Sequence, residues 1–170
     1  MRISQRGLDL IKRYEGYSDT AYVCPAGIMT IGYGTTRING NAIKKGMKCT
    51  REQAQTWLES DVNNFLTSAS RLISEEVELN QNQVDSIASF VYNIGIGNFK
   101  KSTLLQHLND GFFVLAAAEF ARWNKGGGKV LKGLVERRAE EAELFMEGIS
   151  ARVVKQQEKS STQSSNSFLG

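Results

Sequence analysis

Residues 15–34 read EGYSDTAYVCPAGIMTIGYG, and within this segment the pattern of the chain changes from helical to extended. Before it, Ser4 is a suitable N-cap and apolar residues recur at three- and four-residue spacing, which predicts a helix that ends at Glu15 and is terminated by Gly16. Within and after it, Tyr, Thr, Ile and Val are frequent, glycines recur, and the only proline of the chain occurs at position 25. Residues 17–41 are therefore predicted to form a small, tightly turned antiparallel sheet.

The rest of the sequence has the periodicity of helices. A capping box at residues 50–53 and a second helix start at residues 80–83 predict two long helices. Two shorter helices are predicted at residues 102–110 and 112–123. A glycine loop at residues 126–128 and a last amphipathic helix at residues 133–147 are predicted to follow them. One helix, a small sheet and then many helices form an α+β arrangement, and the cleft between sheet and helices is the expected substrate site.

The composition is that of a globular protein and excludes several kinds of site. With 170 residues, 41% hydrophobic and 23% charged, the chain can form one domain with its own core. A net charge of +3 is too small to indicate a nucleic-acid partner, although it suits an anionic polymer such as a cell wall. Two cysteines and one histidine exclude a disulfide-dense scaffold, a four-cysteine zinc site and a two-histidine metal centre.

We predict one folded domain in residues 1–148 and a polar extension in residues 149–170, which is flexible because its end is mostly Ser, Gln and Asn. No stretch reaches the roughly 18 apolar residues needed to span a bilayer. The first seven residues include two arginines, but no apolar run follows them, so no secretory signal is predicted. We therefore expect the chain to be made in a cytoplasm.

Glu15 is a candidate acid on the basis of its position alone. It lies at the predicted C-terminal end of a helix, where the helix dipole disfavours a carboxylate by roughly 0.3–1 kcal/mol. If the side chain is also shielded from water, its pKa should rise, and a protonated carboxyl group can donate to a leaving group. The alternative is an exposed glutamate that tolerates a small cost.

Glu15, Cys24 and Thr30, together with the surrounding Glu-Gly, Ala-Tyr and Thr-Ile-Gly-Tyr-Gly segments, resemble the signature of phage-type lysozymes. This is glycoside hydrolase family 24, the endolysins and muramidases of tailed bacteriophages. Segments 89–99, 102–109 and 120–140 also resemble the family, in order, so that the likeness covers about residues 3–147. The resemblance implies a lysozyme-like catalytic domain with two lobes, one a small sheet and the other mostly helical. It also implies hydrolysis of the β-1,4 bond between N-acetylmuramic acid and N-acetylglucosamine in peptidoglycan.

The same resemblance implies that Glu15 is the general acid and that Thr30 helps to hold the attacking water. The position of Cys24 is usually Asp, which orients or activates that water from the opposite face. A thiol is a poorer base, and three roles for Cys24 stay open: a partly ionised base or water positioner, a space-filling group, or a covalent nucleophile. A disulfide with Cys49, which would silence Cys24, also stays open.

Three further residues receive binding or supporting roles. Arg137 or Arg138 matches a family arginine that holds the acid, and at most one can do so because neighbouring helical residues point about 100° apart. The alternative for both is a solvated basic face. Tyr33 is included because the glycines on either side of it allow close approach to the backbone. Trp57 and Trp123 are expected in the core rather than against sugar.

We interpret the chain as an endolysin-type lysozyme that causes host cell lysis, with peptidoglycan glycan strands as its partner. We expect a monomer without cofactor or metal, without nucleic-acid binding and without stable membrane insertion. Because no export signal is predicted, we expect it to remain in the host cytoplasm until a separate holin-like protein lets it reach the periplasmic or cell-wall peptidoglycan. Two alternatives stay open: a non-catalytic peptidoglycan-binding module, and a membrane-disrupting protein that acts through residues 150–170.

Overall fold

The structure, a computed structural model, describes residues 1–149 and Val153. Almost all of the predicted polar extension, including the segment invoked for membrane disruption, lies outside the described residues. Its flexibility, and a domain boundary at residue 148, stay predictions.

Seven α-helices and three two-stranded antiparallel sheets make up the described part of the chain, which confirms the α+β prediction. The elements in chain order are α1 (Gln5–Glu15), β1 (Ser18–Val23), β2 (Met29–Gly32), β3 (Arg37–Ile38), β4 (Asn41–Ala42), α2 (Arg51–Ser70), α3 (Gln81–Ile94), α4 (Ile96–Lys101), α5 (Thr103–Asn109), α6 (Phe113–Glu119), β5 (Lys125–Gly126), β6 (Lys129–Val130) and α7 (Lys132–Met146). A 3-10 turn, Phe120–Arg122, follows α6.

Helix α1 has the ends that the sequence predicts. The Ser4 hydroxyl accepts the backbone N–H of Gly7, and Gly16 ends the helix with a φ of 71°. Glu15 is therefore the last helical residue. The apolar face of α1 buries Leu8 and Ile11, so the helix is fixed along its length and the position of Glu15 is determined by packing as well as by the caps.

The predicted sheet region consists of two separate hairpins. In the first, Tyr22 pairs with Thr30 and Val23 with Met29, so residues 24–28 form the turn. In the second, β3 and β4 are joined by Asn39 and Gly40, with φ of 50° and 80°. Positive φ at both central residues is the geometry of a type I′ turn, which Asn-Gly favours.

One short helix is missing from the predictions, and two local predictions differ from the structure. Helix α4 was not predicted; its Phe99 is fully buried and packs edge-on against Phe90, so tertiary packing determines this short helix. The predicted glycine loop is a hairpin, because Gly127 and Gly128 both have the positive φ of a tight turn between β5 and β6. The predicted helix over residues 112–123 is divided between α6 and the 3-10 turn.

Two hydrophobic clusters correspond to the two lobes. The first joins α1, the hairpins, the front of α2 and part of α3; the second joins the remaining helices around Phe90, Phe99, Phe120 and Phe145. Trp57 packs against the first cluster, and Trp123 packs edge-on against Phe90 in the second. Both are half-buried, and neither lines the cavity beside Glu15.

Candidate active site

The carboxylate of Glu15 has one oxygen bound by an arginine and the other close to Gly34. Oε1 accepts a hydrogen bond of 2.8 Å from Nη1 of Arg137, whose side chain is 3% exposed against 22% for Glu15. A Cβ atom at position 34 would lie 3.6 Å from Oε2, so Gly34 leaves open the space in front of that oxygen. The geometry thus separates an anchored oxygen from one that can reach a ligand.

A cavity of about 360 Å³ lies next to this carboxylate, within the size range of small-molecule sites. It lies between the hairpins and helices α2 and α3. Its walls are two carboxylates, two aromatic rings, an arginine, a threonine and a glycine: Glu15, Asp61, Phe65, Tyr92, Arg37, Thr36 and Gly34.

Tyr92 and Asp61 are cavity residues that the sequence reasoning missed. The Tyr92 hydroxyl donates to the carbonyl of Tyr33 at 3.3 Å, and its pKa is raised by burial and then by the nearby charges of Glu15 and Asp61. The pKa of Asp61 is also raised by burial, against the effect of a 3.2 Å hydrogen bond from the Thr35 hydroxyl. Their positions on α3 and α2 are far from Glu15 in sequence, and no local signal identifies them.

Tyr33 contributes to this wall through its backbone. Its side chain is 7% exposed and its ring lies 5.1 Å from that of Tyr17, while its hydroxyl accepts from Arg51. Its carbonyl is the acceptor for Tyr92 and adjoins Gly34. The residue therefore fixes the loop that faces Glu15, whereas its ring belongs to the first hydrophobic cluster.

Cys24 and Thr30 lie together on the first hairpin. Thr30 is buried and its hydroxyl donates to the carbonyl of Ile28 at 3.0 Å. The pKa of the half-buried Cys24 thiol is lowered, first by the backbone N–H groups of Ile28 and Ala26 and then by the Thr30 hydroxyl. Among the described residues, no hydrogen bond or ion pair joins this pair to Glu15 and Arg137.

The two cysteines are free, so no disulfide restrains Cys24. Cys49 is buried in the first cluster, and its thiol lies 3.8 Å from the carbonyl of Ser18.

Arg137 and Arg138 are both buried, at 2% and 1% exposure, so the alternative of a solvated basic face is wrong. Only Arg137 reaches Glu15. Arg138 turns instead to Asn93, at 3.0 Å, and to Glu141. The two arginines therefore point to different partners, as their angular separation on the helix requires.

Glu141 is a further residue that the sequence reasoning missed. It is fully buried and accepts from Arg137, Arg138 and the Ser89 hydroxyl. A signal did exist, because a glutamate three and four positions after two arginines can pair with both on one helix. Burial raises the pKa of Glu141, against the two arginines, and lowers that of Arg138 to about 10.

Known proteins resemble this chain over most of its length. The family model described as phage lysozyme matches residues 12–141. The chain belongs to the phage lysozyme family. It is 42% identical to the endolysin of Bacillus phage B103 over 99% of this chain, and 44% identical to that of Bacillus phage PZA over 90%. The chain spans 63% and 58% of the length of these two relatives.

The fold expected from the resemblance is confirmed by a solved structure. The endolysin from Escherichia coli O157:H7 phage FAHEc1 superposes with a TM-score of 0.79 at 40% identity, covering 88% of this chain and 96% of its own. The two-lobed arrangement and the family signature thus occur together.

The described residues contain neither a metal-binding cluster nor a helix suited to a bilayer. No three His, Cys, Asp or Glu side chains in this part of the chain are grouped so that they could hold a metal ion. No helix within residues 1–149 is long and apolar enough to cross a bilayer.

Proposed function

We propose that this chain is an endolysin-type lysozyme, which hydrolyses the β-1,4 bond between N-acetylmuramic acid and N-acetylglucosamine in bacterial peptidoglycan. The observation that carries the proposal is the Glu15 carboxyl group: Oε1 is anchored by a buried arginine, and Oε2 faces Gly34 at the edge of the cavity. The names of the phage relatives, which are endolysins, support the same activity.

In this proposal Glu15 donates its proton to the glycosidic oxygen as that oxygen leaves the anomeric carbon. A water molecule attacks the same carbon, and its proton passes to a base. Proton donation by a positioned side chain contributes about 10²–10⁴-fold to such a rate. Arg137 holds Oε1, which keeps Oε2 directed at the substrate, and it stabilises the carboxylate that remains after proton transfer.

We assign the water to the hairpin that carries Cys24 and Thr30. The lowered pKa of Cys24 supports its role as a partly ionised base or water positioner, in preference to a space-filling role. Thr30 contributes its hydroxyl, which already lowers the thiol pKa. The covalent alternative needs attack by Cys24 on the anomeric carbon, a step that direct attack by the water does not require.

We also propose a substrate, an oligomeric state and a place of action for this enzyme. Peptidoglycan glycan strands are the substrate, and the enzyme acts as a monomer. It is made in the host cytoplasm and depends on a holin-like protein for release to the wall. Expression in a bacterium should leave cells intact until the inner membrane is permeabilised, whereupon lysis follows. Lysis without permeabilisation would contradict this part.

Purified sacculi provide the decisive test of the reaction. The wild-type chain should release fragments with N-acetylmuramic acid at new reducing ends, identified by mass spectrometry. Glu15→Gln should lower the rate by about 10²-fold or more, since it keeps the shape and removes the proton. Glu75→Gln, at an exposed glutamate outside the cavity, is the matched control and should remain fully active.

Three results would overturn the proposal. Binding of sacculi without new reducing ends would identify a non-catalytic module. Anhydro sugar ends would identify a lyase. Near-full activity of Glu15→Gln would remove Glu15 from the role of acid.

A further inference from the structure

Helix α7 buries three charged side chains within two turns. Arg137, Arg138 and Glu141 are 2%, 1% and 0% exposed. Two cations therefore face one anion in the interior, and the remaining positive charge is adjacent to Glu15. Buried charges are costly unless they are paired, so this imbalance requires an explanation.

Glu141 is the common acceptor of this cluster. Its Oε1 accepts from Nε of Arg137 at 3.2 Å, from Nη2 of Arg138 at 3.1 Å and from the Ser89 hydroxyl at 2.6 Å. Its Oε2 lies 2.9 Å from Nε of Arg138. With one edge of the Arg137 guanidinium fixed in this way, Nη2 donates to the Ser89 carbonyl and Nη1 is left to bind Glu15.

Among the described residues, Glu15 on α1 is the one charged side chain from another element that forms an ion pair with this cluster. Helix α3 contributes Ser86, Ser89 and Asn93, which are neutral, and α1 contributes the Tyr14 ring, which lies 5.6 Å from the Arg137 guanidinium. Glu15 is faced by Arg137 from α7 and by the neutral Tyr92 hydroxyl from α3, and Asp61 on α2 lines the far wall of the cavity. Arg37 on β3 is a further cation in the lining of that cavity. Within helix α7, Glu141 is therefore the anion that offsets the two buried arginines.

We propose that Glu141 is a positioning residue for the acid Glu15, which it serves by holding Arg137 in place and by neutralising one of the two buried arginines. One net positive charge stabilises the carboxylate that proton transfer produces. Two uncompensated cations would favour loss of the proton before the reaction. The inference rests on the proposed function, because it concerns the proton that Glu15 donates.

Two substitutions that change the buried charge beside Glu15 in opposite directions test this proposal. Glu141→Gln keeps the shape but leaves both arginines uncompensated, whereas Arg138→Met removes the second cation and leaves the Arg137–Glu141 pair. Titration of the Glu15 carboxyl group, followed by carbon-13 NMR and assigned with Glu15→Gln, should move to lower pH in Glu141→Gln and to higher pH in Arg138→Met. The double variant restores one net charge and should return the titration toward that of the wild type.

The rate provides a second readout. Glu141→Gln should lower kcat near neutral pH by about tenfold or more with little change in KM, because the proton donor is depleted while the cavity is unchanged. A thermal melt of each variant shows whether it folds. If Glu141→Gln does not fold, Arg138→Met still tests the sign of the effect.

The outcomes separate this inference from the proposed function. Movement of both titrations in the same direction, or of neither, would refute the role of Glu141 even if the wild-type chain cleaves sacculi normally. A wild-type chain that cleaves no sacculi would refute the proposed function itself, whatever the titrations show.

Discussion

Gly34→Ala should reduce the catalytic rate much more than it reduces the stability of the fold. Gly34 has a φ of 98°, and a Cβ atom there would lie 3.3 Å from the Tyr92 hydroxyl and 3.6 Å from Oε2 of Glu15. Gly40 has a φ of 80° with open space around its Cβ position. Gly40→Ala is therefore a matched control with the same backbone strain and without the new contacts.

The expected losses of stability follow from these distances. Placing an L-residue at positive φ costs roughly 1–2 kcal/mol, which applies to both variants. In Gly34→Ala the Tyr92 hydroxyl must also shift by a few tenths of an ångström, which weakens its 3.3 Å bond to the Tyr33 carbonyl and costs about 1 kcal/mol more. Urea unfolding should therefore give a loss of about 1–2 kcal/mol for Gly40→Ala and about 2–3 kcal/mol for Gly34→Ala.

The activities should differ much more than the stabilities. A proton donor must come within roughly 2.6–3.2 Å of its acceptor, and the new methyl group occupies space in front of Oε2. We expect the rate of reducing-end release by Gly34→Ala to fall by about 10²-fold, while Gly40→Ala stays near the wild-type rate at a temperature where both are folded. Rates for the two variants within about twofold of each other would show that Oε2 is not the reacting oxygen.

Two further predictions rest on the raised pKa of Asp61 and on the lowered pKa of Cys24. Burial raises the pKa of Asp61, so its carboxyl group stabilises the fold fully below its unfolded pKa, and this contribution is lost as pH rises through the folded pKa. Asp61→Asn should thus raise the Tm at pH 7 relative to wild type, and this gain should disappear near pH 3. A gain in Tm that grows as the pH falls would show that the pKa of Asp61 is not raised in the folded protein. The lowered pKa of Cys24 predicts that iodoacetamide at pH 7 labels Cys24 about tenfold faster than the buried Cys49. Activity should be lost at the same rate as Cys24 is labelled. Peptide mapping measures the labelling of each cysteine, and Cys49→Ser is the control. Faster labelling of Cys49 would refute it.

The parts of the fold that the sequence predicts are those determined by local chemistry. The Ser4 cap, the Gly16 stop and the capping box at Thr50 each depend on residues within four positions of one another. The fold class followed from the same signals. Helix α4 did not, because it depends on the burial of Phe99 against Phe90, which only tertiary packing determines.

The candidate site likewise contains residues that the sequence predicts and residues that only tertiary packing brings together. Glu15 could be found from its place at a helix end, but the choice between Arg137 and Arg138 depends on how α7 is rotated against α1 and α3. Tyr92 and Asp61 come from two other helices, so their meeting at one cavity is a property of the packed chain. The charge balance around Glu141 likewise appears only when burial is known.

Helix α1 explains why Glu15 belongs to both lobes. One face of the helix places Leu8 and Ile11 in the first hydrophobic cluster. Its polar face forms ion pairs with α7 at Arg13 and Glu15, and with Glu147, the C-cap of α7, at Arg6. The pairs at Arg6 and Arg13 are exposed, so their effect on stability is small. They do, however, join α1 to the last helix and its C-cap on either side of the helix contact, and a slide by one turn of about 5.4 Å would separate Arg137 from Glu15. We therefore expect the two exposed pairs to matter more for the alignment of the acid than for the stability of the fold.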